Sequence, residues 1–403
     1  MIAPRVPQAT RNGWNSLREP LTVAMVSTYP PRECGLATFT RDLSRALREA
    51  GVRTWIVAMD EEGAGYAYGP EVRLQIHEDA VEEYHAAAQA VNRSDAQVVN
   101  LQHEFGIFGG EWGEYVLEFV DRLDRPLVLT LHTVLPDPPA PARRIVRALC
   151  RRSVAVVVMS PSAVDLLESR YGVPRARVHL VWHGVPAIEP VPKDEAKRRL
   201  GLEGHLVLST FGLVSPSKGI EDVLDALPSV VSQHPQVKYL VLGETHPNVR
   251  RREGEWYRNM LLEKVRKLGL GRHVRFENRF LRDEEIVAYL QATDVYVTPY
   301  HNPDQIVSGT LSWAVAAGCA VVSTPYRYAA DLLSDGRGVL VPFRDPAALG
   351  RALSELLADP ERRARLGERA YAAGLAMRWP RVAARYAALF EAALEQAATG
   401  AAV

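Results

Sequence analysis

The stretch from His301 to Pro325, HNPDQIVSGTLSWAVAAGCAVVSTP, predicts a loop, a helix, a tight turn and a strand. The helix begins around Ser308, Gly309 and Thr310, and a helix start leaves several backbone N–H groups without partners. Gly309 would let an anion approach that backbone closely, while Ser308 and Thr310 add hydroxyl donors. The pattern therefore predicts a phosphate-binding loop, and the alternative is an ordinary helix N-cap at Ser308.

Apolar segments of strand length alternate with amphipathic helices along the whole chain. They lie at 21–28, 54–58, 96–101, 126–131, 154–159, 178–186, 206–212, 238–242, 274–276, 295–297, 320–323 and 338–341. Strands that are apolar on both faces indicate a parallel sheet covered by helices on both sides. We therefore predict an α/β protein with two doubly wound, Rossmann-like domains that face a central cleft.

The order of these segments also predicts the domain boundaries. The predicted parts are a leader at 1–20, an N-terminal domain at 21–190, a C-terminal domain at 198–375 and a C-terminal helical segment at 376–403, with a Pro-rich, charged linker at 187–197. Ligands of open α/β sheets bind beyond the carboxyl ends of the strands. The loops that follow the strands are therefore the candidates for a site.

The composition narrows the class of protein. The 403 residues include 48 basic and 48 acidic ones, which argues against nucleic-acid or anionic-membrane partners. Three widely spaced cysteines fit no metal or disulfide pattern, so we expect a reducing, cytoplasmic setting. The first twenty residues lack the apolar core of a signal peptide, and no run approaches the roughly 18 apolar residues of a spanning helix. Peripheral membrane contact stays open.

A second loop of the C-terminal domain carries a basic residue at a helix start. Gly212, Ser217 and Lys218 follow a strand, and Lys218 precedes the next helix. A cation is unfavourable at the positive end of a helix unless an anion lies nearby. Together with the 308–310 loop, this placement predicts a diphosphate in the cleft. The alternative is a solvated lysine that points away.

Polar side chains also end strands elsewhere. His103 and Glu104 end one strand of the N-terminal domain, His132 ends the next, and Glu244 ends a strand of the C-terminal domain. The histidines are predicted to face the cleft, with rings bonded to loop carbonyls as the alternative, and Glu244 is either a ligand contact or an exposed loop carboxylate. The spacing of His103, Glu104 and His132 does not predict a metal site.

The ordered set of motifs resembles the retaining nucleotide-sugar glycosyltransferases of family 4 (glycosyl transferases group 1), which have the GT-B fold. The 29–35 loop resembles the family's acceptor-side glycine loop, 130–132 its strand-end histidine and 212–219 its donor-phosphate loop. His183-Gly184-Val185 resembles its hinge turn, with histidine in place of asparagine. Residues 317–322 resemble its glycine turn, and 377–383 the start of a C-terminal helix that crosses back to the first domain.

Two departures from the family pattern concern the donor. The family's usual arginine after the phosphate-loop glycine is missing, which leaves Lys218. The family's two glutamates, which contact the sugar and the ribose diol, fall on Gln305 and Trp313. Gln305 could still bond a sugar hydroxyl, whereas an indole cannot accept from ribose hydroxyls.

The resemblance implies roles for individual residues. His132 would hold the transferred sugar, and His103 and Glu104 would meet the sugar or the acceptor. Lys218 would stabilise the diphosphate. The remaining implied donor contacts are Gly35, Gly212, Ser217, Glu244, Asn278, Gln305, Ser308, Gly309, Thr310, Leu311 and Trp313.

The implied activity is transfer of a hexosyl group, with retention, from a nucleoside diphosphate sugar to a carbohydrate or other hydroxyl acceptor, without a cofactor or metal. A resemblance to one bacterial subgroup suggests mannose from GDP-mannose. Two alternatives stay open: a glycoside phosphorylase on the same fold, and a non-catalytic sugar-nucleotide-binding protein, which Gln305 and Trp313 favour. The nucleotide, the sugar, the acceptor, the linkage and the oligomeric state are not encoded in any motif that we find.

Overall fold

The computed structural model describes residues 20–61 and 63–399 and contains two parallel sheets with helices on both faces. Nearly all of the predicted leader, together with residues 400–403 of the predicted C-terminal segment, lies outside the described residues. Within the described part, no helix is long and apolar enough to cross a membrane. The predicted α/β class with two doubly wound sheets is confirmed.

The first sheet has seven strands in the order β3-β2-β1-β4-β5-β6-β7. Its strands are β1 (Thr22–Ser27), β2 (Arg53–Asp60), β3 (Val72–His77), β4 (Val98–His103), β5 (Leu127–Leu131), β6 (Ala155–Val158) and β7 (Val178–Leu180). Its helices are α1 (Gly35–Glu49), α2 (Val81–Arg93), α3 (Val116–Val120), α4 (Ala140–Arg152) and α5 (Pro161–Tyr171). The central strands β1, β4 and β5 are buried along their whole length, as their continuous apolar runs predict.

The second sheet has six strands in the order β10-β9-β8-β11-β12-β13. Its strands are β8 (Leu206–Phe211), β9 (Val237–Leu242), β10 (Val274–Glu277), β11 (Val295–Thr298), β12 (Ala320–Ser323) and β13 (Val339–Leu340). The helices of the second half are α6 (Lys193–Arg199), α7 (Ile220–Gln233), α8 (Pro247–Glu253), α9 (Trp256–Lys267), α10 (Asp283–Ala292), α11 (Gly309–Ala316), α12 (Arg327–Leu332), α13 (Pro346–Ala358), α14 (Pro360–Gly374) and α15 (Trp379–Ala398).

Two elements differ from the sequence-based expectation. Strand β3 was not predicted, because it is an edge strand in which only Ile76 is buried and so has no apolar run. Helix α6 begins inside the predicted linker and extends past it to Arg199. A buried ion pair fixes this helix to the second sheet, because Lys197 Nζ lies 2.7 Å from Asp294 Oδ2. Lys197 thus serves packing, within a segment whose composition predicted a linker.

The C-terminal segment returns to the first domain. The N–H of Val185 donates to the carbonyl of Met377, and the N–H of Trp379 donates to the carbonyl of Val185, each at 2.9 Å. Helix α15 then packs against α1. The Trp379 ring lies so close to Gly184 that a Cβ atom on Gly184 would come within 2.2 Å of it. The hinge between the domains is therefore held by the returning chain.

Polar contacts also join the two domains beside the cleft. Arg41 Nη2 lies 3.2 Å from Asp283 Oδ2, and the backbone N–H and the hydroxyl of Ser162 both donate to the Asp331 carboxylate. These contacts hold the carboxyl edges of the two sheets toward each other.

Gly184→Ala should lower the free energy of unfolding by about 1 to 3 kcal/mol, because the new methyl group overpacks against Trp379. Urea denaturation measures the change. The matched control is Gly271→Ala, since a Cβ atom there meets nothing within 4 Å. Equal stabilities of the two variants would contradict the proposed contact.

Candidate active site

A cleft of about 390 Å³ opens between the two domains and takes residues from both. The N-terminal domain and the returning helix contribute Glu33, Cys34, Gly35, Thr38, Phe39, Asp42, His132, His183 and Trp379. The C-terminal domain contributes Phe211, Gly212, Leu213, Lys218, Leu242, Gly243, Glu244, His246, Phe280, Leu281, Asp283, Ile286, Val307, Gly309, Thr310 and Trp313. Most of these residues follow strands, as expected for a site at the carboxyl edges of parallel sheets.

The start of helix α11 contributes free backbone donors to this cleft. Ser308 is the N-cap: its Oγ accepts from the N–H of Leu311 at 3.3 Å, and its side chain is buried. Gly309 and Thr310 line the cleft, and their N–H groups have no hydrogen-bond partner within 20–61 and 63–399. Both interpretations of this stretch therefore apply. Ser308 is an ordinary N-cap, and Gly309 and Thr310 leave free backbone N–H groups at the start of the helix.

Lys218 lies beside the same helix end. Its Nζ lies 4.0 Å from the centre of the Tyr300 ring, and the Tyr300 hydroxyl is 2.8 Å from Thr310 Oγ1. Burial alone would raise the pKa of Tyr300, but the neighbouring Lys218 ammonium lowers it. Among the described residues that line the cleft, Lys218 is the only lysine or arginine. Positive charge and free N–H groups are thus concentrated in one place.

Two glycines allow the loops around Lys218 to approach each other. A Cβ atom on Gly243 would lie 2.3 Å from the carbonyl oxygen of Gly212, and both glycines have positive φ angles, +133° and +123°. Side chains would separate these loops, since L-residues rarely adopt such angles. The loop geometry at Lys218 therefore depends on both positions.

His132 lines the cleft from the end of β5. Its Nε2 is 2.8 Å from Gln102 Oε1, and its ring meets the Phe39 ring edge-on at 5.0 Å between centroids. Burial, and then the nearby His183 and His103, lower the pKa of His132 to about 3. The ring is therefore neutral at pH 7.

His183 joins the hinge to the start of α11. Its Nδ1 is 2.7 Å from the carbonyl oxygen of Gly184, and burial lowers its pKa to about 4. A Cβ atom on Gly309 would lie 3.0 Å from His183 Nε2. Gly309 thus serves domain packing as well as an open cleft wall, which the motif alone did not indicate.

His103 and Glu104 were predicted to face the cleft, but neither is among the residues that line it. His103 is fully buried between Phe105 and Phe108, and neither of its nitrogens has a hydrogen-bond partner among the described residues. Burial lowers its pKa to about 3. Glu104 accepts from the Thr133 hydroxyl and from the N–H of Phe105, and burial raises its pKa. The roles of His103 and Glu104 toward the sugar or the acceptor stay predictions.

The other predicted contacts divide into two groups. Gly35, Gly212, Glu244 and Trp313 line the cleft together with Lys218, Gly309 and Thr310. Ser217, Asn278, Gln305, Ser308 and Leu311 do not. Gln305 donates its amide to the carbonyl of Val307 at 3.0 Å, Asn278 and Ser217 are exposed, and Leu311 belongs to the core. Their roles toward a donor stay predictions.

Several residues that line the cleft were not singled out in the sequence. Phe280 is 57% exposed and lies two residues after Asn278, in the loop that was expected to meet the base. Phe39 and Trp379 lie 5.4 Å apart by ring centroids although 340 positions separate them, so no local pattern could reveal their contact. At position 280 the sequence offered one local signal, an aromatic residue in a loop that follows a predicted strand.

Two facing Rossmann-like domains with a returning C-terminal helix define the GT-B class of glycosyltransferase folds. Residues 192–373 match the family "Glycosyl transferases group 1", and residues 34–187 match "Glycosyltransferase Family 4". The chain belongs to the group 1 glycosyltransferases.

Individual proteins agree with this assignment. The chain is 29% identical to D-inositol 3-phosphate glycosyltransferase of Thermobispora bispora over 68% of its length, and 31% identical to that of Xylanimonas cellulosilytica over 66%. These matches span 67% and 66% of the two relatives, about two thirds of their length. The crystal structure of Anabaena HepE in complex with UDP and glucose has the same fold, with a TM-score of 0.73, 16% identity, and coverage of 92% of this chain and 100% of that one.

The depressed histidine pKa values predict acid sensitivity. The pKa of His103 is near 3 in the folded protein and near 6.5 in the unfolded chain. The free energy of unfolding therefore has its full value above pH 6.5 and falls as the pH drops from 6.5 toward 3, because protonation favours the unfolded chain. Each such ring contributes a slope of about 1.4 kcal/mol per pH unit in this window. His103→Phe should therefore flatten the decline by about that amount. Urea unfolding between pH 7 and pH 4 measures it, and an unchanged slope would show that His103 is not buried in the neutral form.

Proposed function

We propose that this glycosyltransferase moves a hexosyl group from a nucleoside diphosphate sugar to a hydroxyl acceptor with retention at the anomeric carbon. The observation that supports this most directly is the convergence of Lys218 with the free N–H groups of Gly309 and Thr310 on one wall of the cleft. A diphosphate carries the charge and the oxygen acceptors that such a wall would bind.

The proposed chemistry uses this wall to stabilise the leaving group. As the bond from the anomeric carbon to the diphosphate oxygen breaks, negative charge grows on the diphosphate. The Lys218 ammonium and the positive end of α11 face that charge without having to reorganise, which lowers the barrier. The acceptor hydroxyl attacks from the face that the diphosphate leaves, and its proton passes to the departing diphosphate. No nucleophile from the protein is then needed.

The sugar and the nucleoside would occupy opposite sides of this wall. In this proposal His132, which lines the cleft and is neutral at pH 7, hydrogen-bonds a hydroxyl of the transferred sugar. Trp313 is 8% exposed and lies 6.2 Å from Phe211 by ring centroids, so an apolar surface replaces the family's ribose carboxylate. Of the four carboxylates that line the cleft, Glu244 and Asp283 belong to the C-terminal domain, and we assign the ribose hydroxyls to these two. Exposed Phe280 offers a face for the base.

The comparisons support a hydroxyl acceptor and a nucleotide-sugar donor. Two relatives are named for transfer to inositol 3-phosphate, and HepE was crystallised with UDP and glucose. For this chain we infer a polyol or carbohydrate hydroxyl as the acceptor. Mannose stays a candidate sugar only through the subgroup resemblance.

The test of the proposed function is incubation with a panel of nucleotide sugars, including UDP-glucose, UDP-GlcNAc, GDP-mannose and GDP-glucose, without an acceptor. We expect slow hydrolysis of one donor, faster release of its diphosphate when polyols are added, and an α-linked product from an α-linked donor. Turnover of a disaccharide with inorganic phosphate instead would favour the phosphorylase. Binding of a donor without any turnover would favour the non-catalytic protein.

Lys218→Ala should lower turnover of the accepted donor by about a hundredfold or more, because it removes the cation that faces the developing diphosphate charge. Steady-state kinetics measure this, and calorimetric titration with the nucleoside diphosphate measures the accompanying loss of affinity. Lys267→Ala is the control, since Lys267 is exposed and pairs with Glu263 on α9. Comparable turnover in the two variants would refute the assigned role of Lys218.

A further inference from the structure

A buried chain of amide groups leads from the first sheet to His132. Asn100 Nδ2 lies 3.0 Å from the carbonyl oxygen of Val128. A carbonyl only accepts, so the Asn100 atom that faces it must be the amide nitrogen. Asn100 Oδ1 then faces Gln102, whose Nε2 lies 2.6 Å away and must be the donor. One backbone carbonyl thus fixes the orientation of both amides.

The orientation of Gln102 decides which nitrogen of His132 carries the proton. Gln102 Oε1 lies 2.8 Å from His132 Nε2. An amide oxygen can only accept, so His132 Nε2 must be the N–H donor in this contact. Asn100 and Gln102 are both fully buried, which leaves these protein groups as the partners that set their orientation.

The returning helix closes the network from its other side. Thr130 Oγ1 lies 3.4 Å from Gln102 Nε2 and 3.1 Å from the hydroxyl of Tyr386, which belongs to α15. The Phe39 ring meets His132 edge-on at an interplanar angle of 87°. The amide chain and the aromatic contact together restrain rotation of the His132 ring.

The opposite nitrogen of His132 is left for a ligand. Burial lowers the pKa of the ring to about 3, so at pH 7 it is neutral and has one N–H group. That group is at Nε2, and Nδ1 therefore has a free lone pair. Among residues 20–61 and 63–399 nothing hydrogen-bonds Nδ1, and His132 lines the cleft.

We propose that Gln102 is a positioning residue that fixes His132 as its Nε2–H tautomer and so presents Nδ1 to the cleft as a hydrogen-bond acceptor. The inference rests on the proposed function, because the partner of Nδ1 is then a hydroxyl of the transferred sugar. A lone pair attracts an O–H group and repels a carboxylate. The proposal places the exocyclic CH2OH group of the sugar against Nδ1, so the site selects that hydroxyl over the carboxylate that replaces it in a uronic acid.

Nitrogen NMR of the full chain with ¹⁵N-labelled histidine tests the tautomer directly. Long-range correlation spectra at pH 7 distinguish a protonated from an unprotonated ring nitrogen, and the His132→Ala spectrum assigns the signal. We expect an Nε2–H ring with an unprotonated Nδ1. If the His132 ring of the parent protein is protonated at Nδ1, or at both nitrogens, the proposal is overturned. This measurement needs no variant at Gln102.

A pair of variants then tests the role of Gln102 against a merely structural one. Gln102→Met keeps the length of the side chain but removes its acceptor, and Ser44→Ala removes an equally buried hydroxyl that bonds Thr54 and lies outside the cleft lining. In Gln102→Met we expect a mixture of His132 tautomers and a fall in kcat of about tenfold or more, by analogy with metal-bound histidines that lose their orienting partner. KM should change little, since the diphosphate contacts are intact.

Donor selectivity distinguishes the proposed role from a loss of stability, because a less stable protein would turn over both donors less without changing their ratio. The measured quantity is the ratio of kcat/KM for UDP-glucose to kcat/KM for UDP-glucuronic acid. If the protein accepts another nucleotide, the same ratio is measured with the neutral sugar and its uronic acid on that nucleotide. The parent and Ser44→Ala should both prefer the neutral sugar. In Gln102→Met that preference should narrow, because the freed ring can turn an N–H group to the cleft. An unchanged tautomer and an unchanged preference in Gln102→Met would overturn the proposal.

The outcomes separate this inference from the proposed function. If no nucleotide sugar is turned over, the proposed function fails, and the NMR spectrum still decides whether Gln102 sets the tautomer. If a donor is turned over by a protein whose His132 is protonated at Nδ1, only the role of Gln102 fails.

Discussion

The packing of Phe39 against three aromatic rings is the constraint on which the rest of the structure depends. Its ring centroid lies 5.0 Å from that of His132, 5.1 Å from that of His183 and 5.4 Å from that of Trp379. These partners lie just after strand β5 of the first sheet, in the hinge and at the start of the returning helix. One side chain of α1 therefore fixes the relative positions of a candidate sugar contact, the domain connection and the C-terminal segment.

The same cluster explains why the hinge requires a glycine and tolerates a histidine. Gly184 has no room for a Cβ atom beneath Trp379, and the backbone of Val185 pairs with the returning chain. His183 then projects toward the start of α11, where Gly309 gives it space. Any change in the angle between the domains must alter this contact. The wall that would bind a diphosphate is therefore coupled mechanically to the hinge.

Local patterns predicted the sheets and the glycine loops, because apolar runs and strand ends are properties of neighbouring residues. These patterns failed where the pleat of a strand, or a contact between residues far apart in the sequence, decides the surroundings of a side chain. Gln102 and His103 are adjacent in β4, so their side chains point to opposite faces. Gln102 meets His132, whereas His103 enters the core beside Phe108. Both end the same strand in the sequence. The pleat of β4, together with its pairing to β5, separates the proposed positioning residue Gln102 from the core residue His103.

The distribution of charge in the cleft indicates which kind of substrate it would bind. The four acidic side chains that line it already lie near arginines, Asp42 and Asp283 near Arg41, and Glu33 and Glu244 near Arg250. Among the described lining residues, Lys218 is the only lysine or arginine. His132 and His183 add no positive charge at pH 7, because burial lowers both pKa values. An anionic ligand is therefore attracted to one place, beside Lys218 and the free end of α11, and the rest of the cleft suits neutral hydroxyl groups. A substrate that is charged at one end and polar at the other is what such a surface would orient.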